Sequence, residues 1–353
     1  MASEPVATQG FVAEESLPLQ TFEEITQIRV ARPRVVEQEA RSRRRRRELT
    51  RDGRLVLVAL DHPARGVTRI RDRDLAMGDR HALLARALRL MADPDLDGVV
   101  ATPDILEELL ILSHIERRKG GRSFLDDRIL VGTMNRGGLA DTAFEMDDAF
   151  TGFTAERLAE LRCDGGKMMY RLESGDPASG RTIVACAQAV SALRRHGLPA
   201  FLEALSVARE AGVYRAMNDA ATLVRNCGIA AGLGESSAHV WLKLPYCADF
   251  SLVGRATTLP ILLLGGPARE NPRDTLSDFA SGISSSPRVR GAIIGRNLLF
   301  PSGDDPLPMC QALTAIVHRG ASLEAAWQVL EAAPPTFPGL PVSPDRKPKS
   351  RKR

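Results

Sequence analysis

Lys243 lies in the middle of an apolar run, His239-Val240-Trp241-Leu242-Lys243-Leu244-Pro245-Tyr246. The run reads as a short strand covered on both faces and ended by Pro245. Burial penalises the ammonium form of a lysine and lowers its pKa. A desolvated lysine is what imine chemistry needs, because only the neutral amine attacks a carbonyl. A strand-end lysine can also snorkel to solvent, and Lys243 alone does not decide between the two. Other ionisable residues sit in similar places: Lys167 in Gly166-Lys167-Met168-Met169-Tyr170, Glu203 at the end of Ala200-Phe201-Leu202-Glu203, and Asp61 directly after Leu55-Val56-Leu57-Val58-Ala59-Leu60. Two lysines and two carboxylates embedded in apolar runs are hard to explain as packing, since such groups are rarely buried without partners. If Lys167 and Lys243 both point inward, like-charge repulsion lowers the pKa of each. Glu203 is placed to pair with a lysine and move protons. Asp61 reads equally as an acid/base group and as a structural ion-pair partner. Tyr170 is a candidate proton donor, although a core tyrosine with a wet hydroxyl is the commoner case.

A second signal is backbone without side chains. Leu264-Gly265-Gly266-Pro267 and Ile294-Gly295-Arg296-Asn297 place glycine after two successive apolar runs. Glycine lets the main chain approach an anion closely, with its N–H groups aimed at the oxygens. Gly265, Gly266 and Gly295 are therefore expected to bind a phosphate, with the fork of Arg296 adding charge. The competing reading is that these glycines only make tight turns. His62, Asn135 and Arg136 follow other apolar runs and are candidate substrate contacts. The segment from Asn135 to Thr154 reads as a long loop, either a substrate lid in which Arg136 binds a carboxylate or second phosphate, or plain surface.

The elements that must carry these residues are eight apolar runs, beginning at Leu55, Gly98, Ile129, Gly166, Ala200, Val240, Ile261 and Ala292. Amphipathic helical patterns lie between them: Leu75 to Met91, Asp104 to Arg118, Ala155 to Arg162, Ser179 to His196, Arg215 to Ala231 and Arg273 to Ser284. The gap near Asp249 to Ala256 has room only for a brief helix. Leu307 to His318 and Ser322 to Ala333 follow the last run. Eight β-then-α repeats predict a (β/α)8 TIM barrel, whose chemistry collects at the C-terminal ends of the strands. An open doubly wound sheet would show a Gly-rich dinucleotide turn early, and Leu60-Asp61-His62-Pro63 has none. Residues 51–334 are assigned to the barrel. Residues 1–50 form an N-terminal extension, disordered to about residue 20 and helical beyond, with a possible capping box at Thr21 and Glu24. Residues 335–353 read as a disordered basic tail.

Composition narrows the partners. The chain has 353 residues, 44% of them hydrophobic, and a formal charge of +4 carried largely at its ends. Five scattered cysteines without CxxC spacing fit reduced thiols in the cytoplasm rather than disulfides or zinc. No apolar run is long enough for a membrane span. The arginine run Arg43 to Arg47 has no interleaved aromatics to stack on bases, so it reads as a solvated helix face rather than a nucleic-acid site. Of the six histidines only His62 falls at a strand end, so neither a metal nor another cofactor is expected.

Taken together, these residues resemble the class I (Schiff-base) aldolases of the deoxyribose-phosphate, fructose-bisphosphate and tagatose-bisphosphate aldolase superfamily. Leu60-Asp61-His62 is similar to the opening strand of the fructose-bisphosphate branch, and Gly295-Arg296-Asn297 to its eighth-strand phosphate motif. Lys167 with Tyr170, Glu203, and Leu242-Lys243-Leu244-Pro245 resemble strands four, five and six of the tagatose-bisphosphate branch. There the sixth-strand lysine forms the Schiff base. The resemblance covers about Arg54 to His318. The chain also resembles an actinobacterial barrel family of myo-inositol catabolism. That likeness implies cleavage of a phosphorylated 2-deoxy-5-ketogluconate to dihydroxyacetone phosphate and malonate semialdehyde, although no short motif here defines the substrate.

The expected activity is retro-aldol cleavage of a phosphorylated ketose or keto sugar acid by a homo-oligomeric cytoplasmic lyase that uses no cofactor. Lys243 is the nucleophile. Glu203 or Tyr170 moves protons at the carbinolamine, Asp61 or Glu203 takes the substrate hydroxyl proton, and Lys167 tunes Lys243. The competing readings are another imine-forming barrel enzyme, transaldolase-like or a dideoxy-sugar synthase, and a non-catalytic sugar-phosphate sensor. A phosphate-binding isomerase would want a glutamate base where the chain has Lys243.

Overall fold

The structure, a computed structural model, describes residues 11–140, 142 and 145–332. The expected basic tail at 335–353 and the first ten residues lie outside the described residues. Eight parallel strands close into a barrel: β1 (Leu55–Ala59), β2 (Gly98–Ala101), β3 (Ile129–Thr133), β4 (Gly165–Leu172), β5 (Ala200–Glu210), β7 (Val240–Pro245), β8 (Ile261–Leu264) and β9 (Val289–Ile294). The seam is parallel pairing of β1 with β9, with Leu57 opposite Ile293. The fold is a (β/α)8 TIM barrel. No helix among the described residues is long and apolar enough to cross a membrane.

The two-residue period of each strand divides the core in two. Leu55, Leu57 and Ala59 point into the barrel, where they meet Val100, Ile129, Val131, Phe201, Leu262 and Ile293. Val56, Val58 and Leu60 point outward into the larger core beneath the helices. That shell comprises α4 (Arg80–Leu90), α5 (Pro103–Arg118), α6 (Ala155–Glu160), α7 (Ala178–Arg195), α8 (Ala220–Ala231), α9 (Phe250–Arg255), α10 (Pro272–Ser285), α11 (Arg296–Leu299), α12 (Pro306–Arg319) and α13 (Leu323–Glu331). Short polar side chains start many of them. Asp79, Asp219, Asn271, Asp305 and Ser322 each accept a first-turn N–H, which satisfies one of the orphan donors there.

Four expectations about the chain's course need correction. Residues 215–217 are not helical but belong to β6 (Val213–Met217), which pairs antiparallel with the far half of β5. The turn between them has positive φ at Ala211 (48°) and Gly212 (86°), the two-residue hairpin geometry. Alanine is an unusual first residue for that turn, so the hairpin signal is muted. The helix expected from Leu75 starts only at Arg80, because Asp79 caps it. Residues 11–20 are ordered: α1 (Ala13–Ser16) packs on α4, and the carbonyl of Leu17, fully buried, accepts a hydrogen bond from His81 Nε2 at 2.7 Å. In α2 (Leu19–Ala31) the cap position is Pro18, and Thr21 lies buried inside the helix rather than at a capping box.

The arginine run after α3 (Val35–Ser42) is not a helix face and only part of it is solvated: Arg44, Arg45 and Arg47 are exposed, but Arg43 and Arg46 are not. Arg43, 1% exposed, donates to the carbonyls of Arg128 (2.8 Å) and Arg162 (2.6 Å) and to Asp164 Oδ2 (3.1 Å). Arg46 donates to Asp97 Oδ1 at 2.6 Å. Asp97 and Asp164 in turn accept the backbone N–H groups of Val56 and Leu130 at the starts of β1 and β3. Arg43 and Arg46 therefore clamp the bottom of the barrel, away from the C-terminal ends of the strands. Removing one member of such a buried network leaves a charge unpaired. Arg43→Ala is expected to cost about 3–5 kcal/mol of stability in urea unfolding.

Candidate functional site

Four inward columns of the barrel end in ionisable side chains at its C-terminal mouth. Register places Thr133 opposite Lys167 and Glu203 opposite Lys243. Asp61 continues the inward set of β1. The result is one hydrogen-bonded line. Lys243 Nζ donates to Glu203 Oε2 at 2.8 Å, and Lys167 Nζ lies 3.0 Å from the same oxygen. Lys167 Nζ also donates to Asp61 Oδ2 at 2.9 Å, and Thr133 Oγ1 reaches that oxygen at 3.3 Å. All four ionisable groups are buried, Lys167 at 1% and Lys243 at 7% exposure.

The two lysines are driven in opposite directions. Burial pushes both down. At Lys167 the carboxylates of Asp61 and Glu203 outweigh burial, and its pKa ends above the ordinary lysine value. At Lys243 burial wins, since it holds only a share of Glu203 and feels the charge of Lys167, so its pKa ends below. Burial would raise Asp61 and Glu203, but the lysines beside them hold both well below the usual carboxylate range. The arrangement is one fixed ammonium, two fixed carboxylates and one amine that sheds its proton most readily. Such a divergence separates an acid from a nucleophile.

The other expected residues divide. Gly295 packs against His62: a Cβ there would sit 2.3 Å from His62 Cε1 and 2.9 Å from the Ala59 carbonyl oxygen. His62 Nδ1 is 3.7 Å from Asp61 Oδ1, and burial pushes its pKa to about 3, so the ring is neutral. Gly265 and Gly266 follow β8, with Gly266 at φ 64°. They border a cavity of about 110 Å³, lined also by Pro245, Arg269 and Thr275, that neither lysine lines. Asn297, which the strand-end reading passed over, ties the two glycine loops together. It donates to the carbonyls of Gly265 (2.7 Å) and Pro267 (2.8 Å) and accepts from Arg269 N (2.8 Å). Because Gly295 leaves no room for a methyl group, Gly295→Ala should displace His62 beside Asp61, costing about 1–3 kcal/mol in thermal unfolding.

Tyr170 is not brought to the cluster. It stands three residues after Lys167, so strand alternation turns it to the opposite face. Its hydroxyl faces the Asn226 carbonyl at 3.5 Å, between barrel and helices, and burial raises its pKa further. Asn135 and Arg136 serve the scaffold. Asn135 exchanges hydrogen bonds with the Met169 backbone at 2.6 and 2.8 Å, extending the β3–β4 pairing. Arg136 donates to the Ala64 carbonyl (2.8 Å) and Thr151 Oγ1 (3.0 Å), stitching its loop to the one after β1.

A family described as Cgl0159-like matches residues 53–313, most of the chain and all eight barrel strands. The chain belongs to the Cgl0159-like family. The solved structure of Cgl0159 from Corynebacterium glutamicum is 35% identical over 86% of this chain and 98% of its own, with a TM-score of 0.79. More distant barrels share the fold of this Cgl0159-like chain. An archaeal fructose-1,6-bisphosphate aldolase, whose catalytic lysine is covalently bound to the carbinolamine intermediate of its substrate, is 19% identical over 80% of this chain and 99% of its own (TM-score 0.55). A fructose-bisphosphate aldolase from Slackia heliotrinireducens is 15% identical over 93% and 99% (TM-score 0.57).

Proposed function

We propose that the chain is a class I aldolase that cleaves a phosphorylated ketose or keto sugar acid through an imine on Lys243. The observation that carries this reading is that two buried lysines at the barrel mouth share one carboxylate oxygen of Glu203, Lys243 at 2.8 Å and Lys167 at 3.0 Å. Lys243 sheds its proton to solvent, the free amine adds to the substrate ketone, and Glu203 passes a proton from the nitrogen to the new alkoxide, giving the carbinolamine. A further proton taken up from solvent and delivered through Glu203 lets the carbinolamine hydroxyl leave as water and leaves a protonated imine. Asp61 or Glu203 then takes the proton of the hydroxyl on the departing carbon. The C–C bond breaks with its electron pair moving to the imine nitrogen, which gives an enamine and a free aldehyde. Protonation of the enamine carbon and hydrolysis release the ketone half, dihydroxyacetone phosphate in this reading. Lys167 stays charged and balances the carboxylates. Gly265, Gly266, Gly295 and Arg296 hold the phosphate and so fix the carbonyl over the amine. The reaction of the inositol-catabolic resemblance, with malonate semialdehyde as the aldehyde, is one member of this class.

An enamine exchanges its carbon-bound proton with solvent. Incubating the protein with dihydroxyacetone phosphate in D2O should therefore introduce one deuterium per molecule at the carbon that would form the new bond, by NMR, without any aldehyde present. Absence of exchange, or exchange that EDTA abolishes, would count against the reading. The pH dependence has a definite sign. Imine formation needs neutral Lys243, so its rate rises with pH and levels off below the ordinary lysine pKa. Lys167→Met removes a neighbouring positive charge and leaves Glu203 to Lys243 alone. Both changes favour the ammonium form, so the rising limb should move to higher pH, as stopped-flow rates against pH would record.

A further inference from the structure

The loop after β1, residues 60–79, reaches past the neighbouring β9 to the loop after β8. Its tip is a tight turn. Ile70 and Arg73 exchange backbone hydrogen bonds at 2.9 Å in both directions, and Ile70 and Met77, each 1% exposed, seat the loop in the core. Arg71, the first residue within the turn, has φ 50°. A residue other than glycine is uncommon in that left-handed range, and it persists where its surroundings over-determine it.

The surroundings of Arg71 are two loop carbonyls. Its side chain, 14% exposed, donates from Nη1 to the carbonyls of Phe300 (3.0 Å) and Arg269 (3.3 Å). Glu270 stands 3.8 Å from its Nε but is largely exposed, so that pair adds little. One carbonyl belongs to the loop after β9 and the other to the loop after β8, the two loops whose glycines are assigned to the phosphate. Both residues are also held elsewhere. Arg269 donates its N–H to Asn297 Oδ1 at 2.8 Å, so it is gripped at both ends. The Phe300 ring lies 4.7 Å from the guanidinium of Arg86, which donates to the Leu299 carbonyl at 3.0 Å. Phe11, from the N-terminal extension, lies 4.5 Å from the same guanidinium and donates its N–H to Asp304 Oδ2 at 3.1 Å. The β9 loop is thus fixed from outside, and Arg71 ties the β8 loop to it.

We propose that Arg71 is a positioning residue for phosphate binding: by holding the carbonyls of Arg269 and Phe300 with one guanidinium, it sets the spacing of the loops after β8 and β9 without touching the ligand. The inference rests on the assignment of those loops to the substrate phosphate. An oxygen shared between two stretches of backbone is sensitive to their spacing, because N–H···O bonds weaken outside about 2.7–3.2 Å. Lys243 is set by the pairing of β7 with β5 and β8, so its reactivity should not depend on Arg71.

Calorimetry with glycerol 3-phosphate tests this apart from the imine, since that ligand has a phosphate and no carbonyl. Wild type should bind it, and Arg71→Gln should bind it about tenfold more weakly, the scale of one charge-assisted hydrogen bond. Arg71→Lys, which keeps a charged donor, should recover part of the loss. Arg71→Gly suits the positive φ, so it removes the side chain while sparing the backbone, and should bind as weakly as Arg71→Gln. Borohydride trapping adds a second readout. For Arg71→Gln the half-saturating concentration of dihydroxyacetone phosphate should rise by the same factor. The rate at saturation should match wild type, and so should trapping of dihydroxyacetone, which lacks the phosphate. Unchanged binding of glycerol 3-phosphate by Arg71→Gln or Arg71→Gly overturns the proposal. So does a loss of dihydroxyacetone trapping equal to that of its phosphate, for Arg71 would then support the whole mouth. Wild type that binds no glycerol 3-phosphate defeats the phosphate assignment and the role of Arg71 together. Wild type that binds it but traps no imine defeats only the aldolase reading, and the calorimetry still decides Arg71.

Discussion

Lys243→Met is expected to abolish turnover, lowering kcat/KM by roughly 10⁴-fold or more, because no other group can form the covalent intermediate. Lys167 is not a substitute: two carboxylates fix its ammonium, at 2.9 Å from Asp61 and 3.0 Å from Glu203. The fold should survive. Methionine fills much the same volume, and Glu203 keeps Lys167 as a counter-ion, so no buried charge is left unpaired. An unchanged or slightly raised melting temperature with lost activity separates chemistry from unfolding. Activity within tenfold of wild type would remove Lys243 from the mechanism.

Glu203→Gln is expected to lower kcat by roughly 10²–10⁴-fold, the range for a positioned acid/base group. The change should appear mainly in kcat, since in the proposed mechanism Glu203 moves protons while the proposed phosphate contacts follow β8 and β9. The amide can still accept from Lys243, but it cannot take a proton, and Lys167 keeps only Asp61. Steady-state kinetics over a range of pH measures this. A variant whose KM rises while kcat holds would make Glu203 a binding group.

Much of the site was legible because strand periodicity carries direction. Lys167, Glu203 and Lys243 lie in apolar strands on the inward set, and their convergence follows once eight strands are counted. The same rule, applied at Tyr170, would have excluded it, since three residues from Lys167 means the opposite face. What stayed hidden lies where periodicity stops. Asn297 sits in the turn after β9, where it ties the two glycine loops together. Asn135 and Arg136 looked like site residues because of their position after a strand, but the backbone around them takes up their hydrogen bonds. Arg43 and Arg46 looked solvated like the rest of their run because their partners, Asp164 and Asp97, are more than 50 residues away in the chain and meet them only when the barrel closes. The β5–β6 hairpin hid behind an alanine in a turn that usually takes asparagine or glycine.

The central claim is that Lys243 is the amine that captures the substrate carbonyl. Borohydride reduction of the protein with dihydroxyacetone phosphate, followed by peptide mass spectrometry, tests it most directly. The expected result is one stable adduct per chain, on the peptide containing Lys243 and absent from Lys243→Met. No adduct, or an adduct on Lys167 alone, would contradict it.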